Sequence, residues 1–209
     1  PLDPEMAALL HREIESHGVG LRLGDGVAGF EAPAPGETAA ASVVVLRSGA
    51  RLPADVVVLG LGVRPDVKLA KEAGLELGPT GGIKVDASMR TSDPHVWAVG
   101  DAVEVRHPVT GRPMLLPLAG PANRQGRLAA DSVAGRPARY KGSLGRGILR
   151  LFTLAAGMTG ANERMLREAG IPFAAVHLHP NSHAGYYPGA HPIALKLLYS
   201  PEEGRILGA

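Results

Sequence analysis

Met6, Leu9, Leu10 and Ile14 recur at helical spacing behind Asp3-Pro4, and Gly18 closes the pattern, which predicts a first helix. Short strand-like runs follow at Val19 to Leu23, Val27 to Phe30 and Ala41 to Leu46. The Pro- and Gly-rich stretch Ala32 to Glu37 reads as a loop or hairpin tip. Ser48-Gly49-Ala50 between Val43-Leu46 and Leu52 reads as a hairpin turn. Asp55-Val-Val-Val-Leu-Gly60 is an unbroken apolar run of the kind expected from a strand buried on both faces. A short helix is predicted over Asp66 to Ala73, stopped by Gly74, then a turn at Gly78 to Gly82 and a strand at Ile83 to Val85. A second apolar run, Val96 to Val99, is entered through Asp93-Pro94 and ends at Gly100-Asp101. An amphipathic helix from Pro121 to Ala134 is closed by Gly135.

Beyond about Tyr140 the texture changes. A glycine-rich basic connector, Lys141 to Arg146, leads to an apolar strand over Ile148 to Ala156 and a helix over Asn162 to Ala169. Strand-like runs at Phe173 to His179, Ile193 to Tyr199 and Arg205 to Leu207 complete a small α+β unit on an antiparallel sheet.

Composition narrows the function classes. The 209 residues suit one or two domains, and 45% are apolar, enough for a substantial core. Charge is nearly balanced, 22 basic against 20 acidic residues, and no Lys/Arg-rich run supports nucleic-acid binding. Cysteine is absent, so no disulfide, cysteine metal site or thiol redox centre lies in these residues. No apolar run reaches membrane-span length and no leader pattern opens the chain, so a soluble, cytoplasmic protein without a membrane partner is expected. The start at Pro1 and the stop inside a predicted strand lead to the expectation that the chain is a piece of something larger.

Chemistry concentrates at a few motifs. Gly100-Asp101 delivers a carboxylate at the end of an apolar run, where open α/β sheets bind ligands; it reads either as a contact for a hydroxyl-rich ligand or as a helix N-cap. Pro117-Leu-Ala-Gly-Pro-Ala-Asn-Arg-Gln-Gly-Arg127 places a helix N-terminus near the same edge, suited to electron-rich ligand atoms. Gly60-Leu61-Gly62 reads as a phosphate-cradling turn or a tight turn, and it lacks the third glycine of a dinucleotide fingerprint. His177, His179, His183 and His191 show no recognisable ligand spacing, and no metal is assigned. Tyr186-Tyr187-Pro188-Gly189 joins two strands as either a substrate-facing phenol or an interface aromatic. No Gly-x-Ser-x-Gly elbow, Walker loop or HExxH occurs.

Asp55 to Pro65, Thr91 to Asp101 and Pro117 to Arg127, in this order, resemble the FAD-dependent pyridine nucleotide-disulfide oxidoreductases. His183-Ala-Gly-Tyr-Tyr-Pro-Gly-Ala190, Ile193 to Leu197 and Gly204 to Gly208 resemble the dimerisation domain of the coenzyme A-disulfide reductase and NADH oxidase/peroxidase branch. The resemblance covers essentially the whole chain. It implies an α/β fold, part of a flavoprotein with two Rossmann-like domains for FAD and NAD(P)H, plus an α+β dimerisation domain. Residues 1–78 would be the later part of the NAD(P)H-binding domain, 79–145 the C-terminal half of the FAD domain, and 146–209 a truncated dimerisation domain.

By position, Asp101 would bond the ribityl chain of FAD with Gly100 permitting the approach. Leu118, Ala119 and Ala122 would line the flavin at the helix start, where the helix dipole favours negative charge. Gly62, within Gly60 to Arg64, would lie at the nicotinamide-domain crossing. Tyr186 or Tyr187 would act in the partner subunit of a homodimer. Both glycine fingerprints and the redox cysteine would lie upstream. The implied activity passes electrons from NAD(P)H through FAD to that cysteine and a small-molecule disulfide such as coenzyme A disulfide, a reaction this fragment alone would not complete. The alternatives are an NADH oxidase or peroxidase of the same family, or a non-catalytic dimerisation or binding module. The motifs leave open the electron acceptor, the choice between NADH and NADPH, and whether a further domain follows.

Overall fold

The structure, a computed structural model, describes residues 2–36 and 40–209; Glu37, the last residue of the expected loop, lies outside them. The chain divides into two compact units, one built from the residues up to Glu13 together with Arg64–Ala209, the other from Ile14–Val63. Among the described residues no helix is long and apolar enough to cross a membrane.

The smaller unit is an antiparallel meander of β1 (Val27–Glu31), β2 (Ser42–Leu46) and β3 (Arg51–Ala54) in that order. The expected hairpin forms: Val44 faces Leu52, and Gly49 turns at φ +88, a conformation open to glycine at no steric cost. Asp25 fastens the turn by accepting bonds from the Ser48 N–H (3.0 Å) and hydroxyl (2.6 Å). Val43 and Leu46, on opposite faces of β2, are its buried side chains.

Two expectations in this unit are corrected. Val19 to Leu23 forms no strand. The run Asp55 to Gly60 forms none either, and Val56 and Val58 are 80% and 88% exposed. A strand exists only through a neighbour's hydrogen bonds, and none of the described strands pairs with this run.

In the larger unit, β4 (Ile83–Lys84) runs parallel to β5 (Val103–Arg106), which pairs antiparallel with β6 (Pro113–Leu115). Helix α1 (Pro4–Ser16) opens the chain, α2 (Lys68–Glu72) is one short turn within the expected Asp66 to Ala73, and α3 (Ala119–Val133) matches the predicted amphipathic helix. Met89, Val103, Val105, Leu116 and Tyr140 form a buried cluster, with Trp97, Leu128 and Ala129 packed against it. Val96 to Val99 is extended but tied to its surroundings by an isolated bridge between Arg90 and Trp97 rather than by a ladder.

The C-terminal layer differs from the expectation in one respect. The single strand read over Ile148 to Ala156 is a hairpin of β7 (Gly147–Leu151) and β8 (Leu154–Met158), reversing at Phe152, whose φ is +51. An apolar run carries no mark of a two-residue reversal when neither turn residue is Gly or Asn. Asn162 caps α4 (Glu163–Ala169) by accepting from the Met165 N–H at 2.9 Å, and Gly170 ends it at φ +67. β9 (Ala174–Leu178), β10 (Leu195–Tyr199) and β11 (Ile206–Gly208) form an antiparallel sheet with β10 central. Ala161, Leu166, Leu198 and Leu207 are its core, and Val109 from the β5–β6 turn packs against them.

Candidate functional site

Gly100-Asp101 forms a single 3-10 turn, Gly100–Ala102, with Gly100 at φ +85, so a side chain here would be strained. The Gly100 N–H donates to Gln125 Oε1 at 2.7 Å, and Gln125 is only 2% exposed within α3. One helix therefore fixes the turn through a buried amide. Ala122, one turn earlier on the same helix face, lies beside Gly100: a Cβ added there would sit 3.9 Å from the Ala122 Cβ. Asp101 is exposed, and its carboxylate has no hydrogen bond to any described residue.

The start of α3 completes this edge. Leu118 is extended, half-buried, and provides no side-chain cap, and Pro121 has no N–H. Ala119 and Gly120 are exposed, next to a cleft shared with Arg124, Ser143 and Arg146. Free first-turn N–H groups with a carboxylate opposite can hold a ligand that presents carbonyl oxygens at one place and hydroxyls at another. Trp97 braces the run leading to the turn: its Nε1–H donates to Ser132 Oγ at 2.9 Å, and the Arg90 guanidinium lies 5.2 Å from the ring centroid.

The structure thus brings Gly100, Asp101, Leu118, Ala119 and Ala122 to one region around α3. Gly62, at φ +79 and exposed, belongs to the smaller unit. Tyr186 and Tyr187 stand on the β9–β10 connection, 83% and 61% exposed, with ring centroids 4.8 Å apart. Their turn is closed by the Tyr187 N–H donating to the Ala184 carbonyl at 3.0 Å. His177 Nε2 lies 3.3 Å from Glu5 Oε1.

Sequence reasoning missed Gln125. Its signal was present: a polar residue sharing an apolar helix face with Ala122, Leu128 and Ala129 must find a buried partner. It also missed Lys196, 4% exposed in its side chain on β10, the central strand of its sheet. Lys196 Nζ donates to Asp3 Oδ2 (2.9 Å), Glu163 Oε1 (2.5 Å) and Glu5 Oε1. Burial would lower the lysine's pKa, but bonds to Glu163, Glu5 and Asp3 hold it above its ordinary value. Glu5 falls to about 2, chiefly through the Lys196 bond. The Asp3 carboxylate, expected at the mouth of the first helix, also accepts the Glu163 N–H at 3.1 Å, at the start of α4.

The model of the pyridine nucleotide-disulphide oxidoreductase family matches residues 1–123, and the chain belongs to this family. It is 35% identical over 164 residues to the NAD(P)H sulfur oxidoreductase (CoA-dependent) of Pyrococcus furiosus, covering 78% of this chain and 37% of that protein. Among solved structures, the reduced CoADR-RHD of Bacillus anthracis superposes with a TM-score of 0.91 at 45% identity, over 100% of this chain and 36% of that one. The NAD-dependent persulfide reductase from A. fulgidus gives a TM-score of 0.92 at 36% identity, over 99% of this chain and 37% of that one. The mixed α/β fold is that of a portion of these oxidoreductases, and the match spans little more than a third of the length of each of these three proteins.

Proposed function

We propose that the chain is part of a flavoprotein reductase that passes electrons from NAD(P)H through FAD to a cysteine elsewhere in the polypeptide, and then to a small-molecule disulfide such as coenzyme A disulfide. The overall exchange consumes one NAD(P)H, one proton and one disulfide and yields NAD(P)+ and two thiols. The observation that carries this reading is the Gly100-Asp101 turn, clamped by buried Gln125 and presenting a carboxylate that no described residue hydrogen-bonds.

These residues fit FAD. The exposed Asp101 carboxylate suits the hydroxyls of a ribityl chain, and Gly100 keeps side-chain bulk away from it. The uncapped start of α3 at Leu118 and Ala119, with Ala122 one turn on, suits the carbonyl edge of a flavin. When bound, the flavin supplies the two-electron relay between nicotinamide and thiol. The chain's own part is to grip and orient: Asp101 by hydrogen bonds, α3 by its N–H groups, and Gln125 by fixing both to one frame.

In this reading residues 1–78, 79–145 and 146–209 contribute to the NAD(P)H-binding, FAD-binding and dimerisation domains of a cytoplasmic homodimer. Gly62 lies at the nicotinamide-domain crossing. Tyr186 or Tyr187 serves the partner subunit's active site, and the strong exposure of both rings supports an interfacial role.

The purified full-length protein is expected to show flavin absorption at near-stoichiometric levels and to oxidise NAD(P)H when coenzyme A disulfide is added. Asp101→Ala should weaken FAD retention by roughly tenfold or more, as expected for loss of a charge-assisted hydrogen bond. A colourless protein that takes up no flavin would overturn the reading, and unchanged retention in Asp101→Ala would remove that residue from the site.

A further inference from the structure

His107 closes the β5–β6 turn in an unusual way. Its ring is 1% exposed, and Nδ1 accepts the N–H groups of Val109 (3.2 Å) and Thr110 (3.3 Å). The backbone adds bonds from the His107 N–H to the Arg112 carbonyl (2.9 Å) and from the Gly111 N–H to the His107 carbonyl (2.8 Å). With Nδ1 accepting, the ring is neutral with its proton on Nε2, and Nε2 has no hydrogen-bond partner among the described residues.

The turn held this way is a connection. It carries Val109 into the core formed by Ala161, Leu166, Leu198 and Leu207, and Arg112 Nη1 lies 3.5 Å from Glu168 Oε2 of α4. At its other end, β5 follows directly from the Gly100-Asp101 turn. The hairpin therefore joins the candidate cofactor edge to the C-terminal layer.

We propose that His107 is a pH-sensitive joint: its neutral ring fastens the β5–β6 turn, with Val109, to the C-terminal layer, and protonation of Nδ1 releases it. A second proton on the ring would point at two N–H donors that already use that nitrogen, so the charged ring and the present turn exclude each other. Burial acts in the same direction, pushing the ring below its ordinary 6.5, while the Gly160 backbone opposes this from outside hydrogen-bonding geometry.

Neighbouring charges offer no rescue. The cleft beside the ring is lined by Lys84, Asp86, Glu104, Arg106 and Lys141, together with Tyr140. Asp86 accepts the Ser88 and Arg90 N–H groups, Glu104 accepts from Thr80, and Lys84 pairs with Glu76. Arg106 donates to the Gly111 carbonyl, and Glu168 faces Arg112.

The test is amide hydrogen exchange of the full-length protein between pH 8 and pH 5, corrected for the intrinsic pH dependence of exchange. Protection of the segment 107–112 is expected to fall by roughly tenfold across this range, while that of α3 holds. In His107→Asn, whose side-chain oxygen can accept the same N–H groups and does not titrate, protection should be flat. Flat protection in the unmodified protein overturns the proposal, and so does a parallel loss in His107→Asn. Should His107→Asn fail to fold, the unmodified protein's profile decides alone.

Discussion

Val56 to Gly60 and Val96 to Gly100 look alike as strings: an apolar run ending in glycine, next to a segment rich in turn residues. They meet different fates. The second is anchored from three sides, by Trp97 to Ser132, by Gly100 to Gln125 and by the bridge to Arg90. The first makes no such tie to any described residue, and Val56, Val58 and Leu59 are all at least 60% exposed. Apolar character supplies the drive to be covered, but polar partners at long sequence separation decide where a run is fixed.

The contrast is sharpest where the polar tie is charged and buried. Lys196→Met should destabilise the fold most, by about 3–5 kcal/mol, because Asp3 and Glu163 would be left as poorly solvated carboxylates without a cation. Denaturant unfolding measures it. The same substitution should change the acid profile. Glu5 titrates at about 2 in the folded chain against 4.5 unpaired, so its contribution is complete above pH 4.5 and is lost as pH falls toward 2. In Lys196→Met that acid-dependent portion should shrink. An unchanged profile would mean that the lysine is not what holds Glu5 ionised.

Gln125→Leu comes next. It leaves the Gly100 N–H facing an apolar side chain and should cost about 1–3 kcal/mol, with weakened flavin retention as its functional echo. A change below about 0.5 kcal/mol would break the claim that this amide anchors the turn. At the small end, Val58→Ser in the 209-residue chain should move stability by less than about 0.5 kcal/mol, since the side chain is already in water. A larger loss would show that the run finds cover after all.

Much of the secondary structure was legible because local chemistry set it. The first helix, the Ser48-Gly49-Ala50 hairpin, α3 and the Asn162 to Gly170 helix all carry their own start and stop signals. What stayed hidden depended on partners. The reversal at Phe152 and Thr153 contains neither glycine nor asparagine, and β5 and β6 are too short and too mixed in polarity to stand out. Of the candidate site, Gly100, Asp101 and the start of α3 could be read as motifs. For Gln125, which unites them, the sequence marks a polar residue on an apolar helix face but not its partner, which lies 25 positions away.

The hub around Lys196 also bears on the order in which the chain matures. Glu5 and Lys196 are 191 positions apart, so a ribosome exposes the two carboxylates at the start of α1 long before it delivers the cation that pairs with them. Contacts of such separation carry the heaviest loop-closure cost and are slow to form. Until β10 emerges, the Glu163 N–H and His177 are the partners from later in the chain that Asp3 and Glu5 can meet, and neither is a lysine. The closing of this ionic knot is therefore a late event, after the helices and hairpins between them have formed.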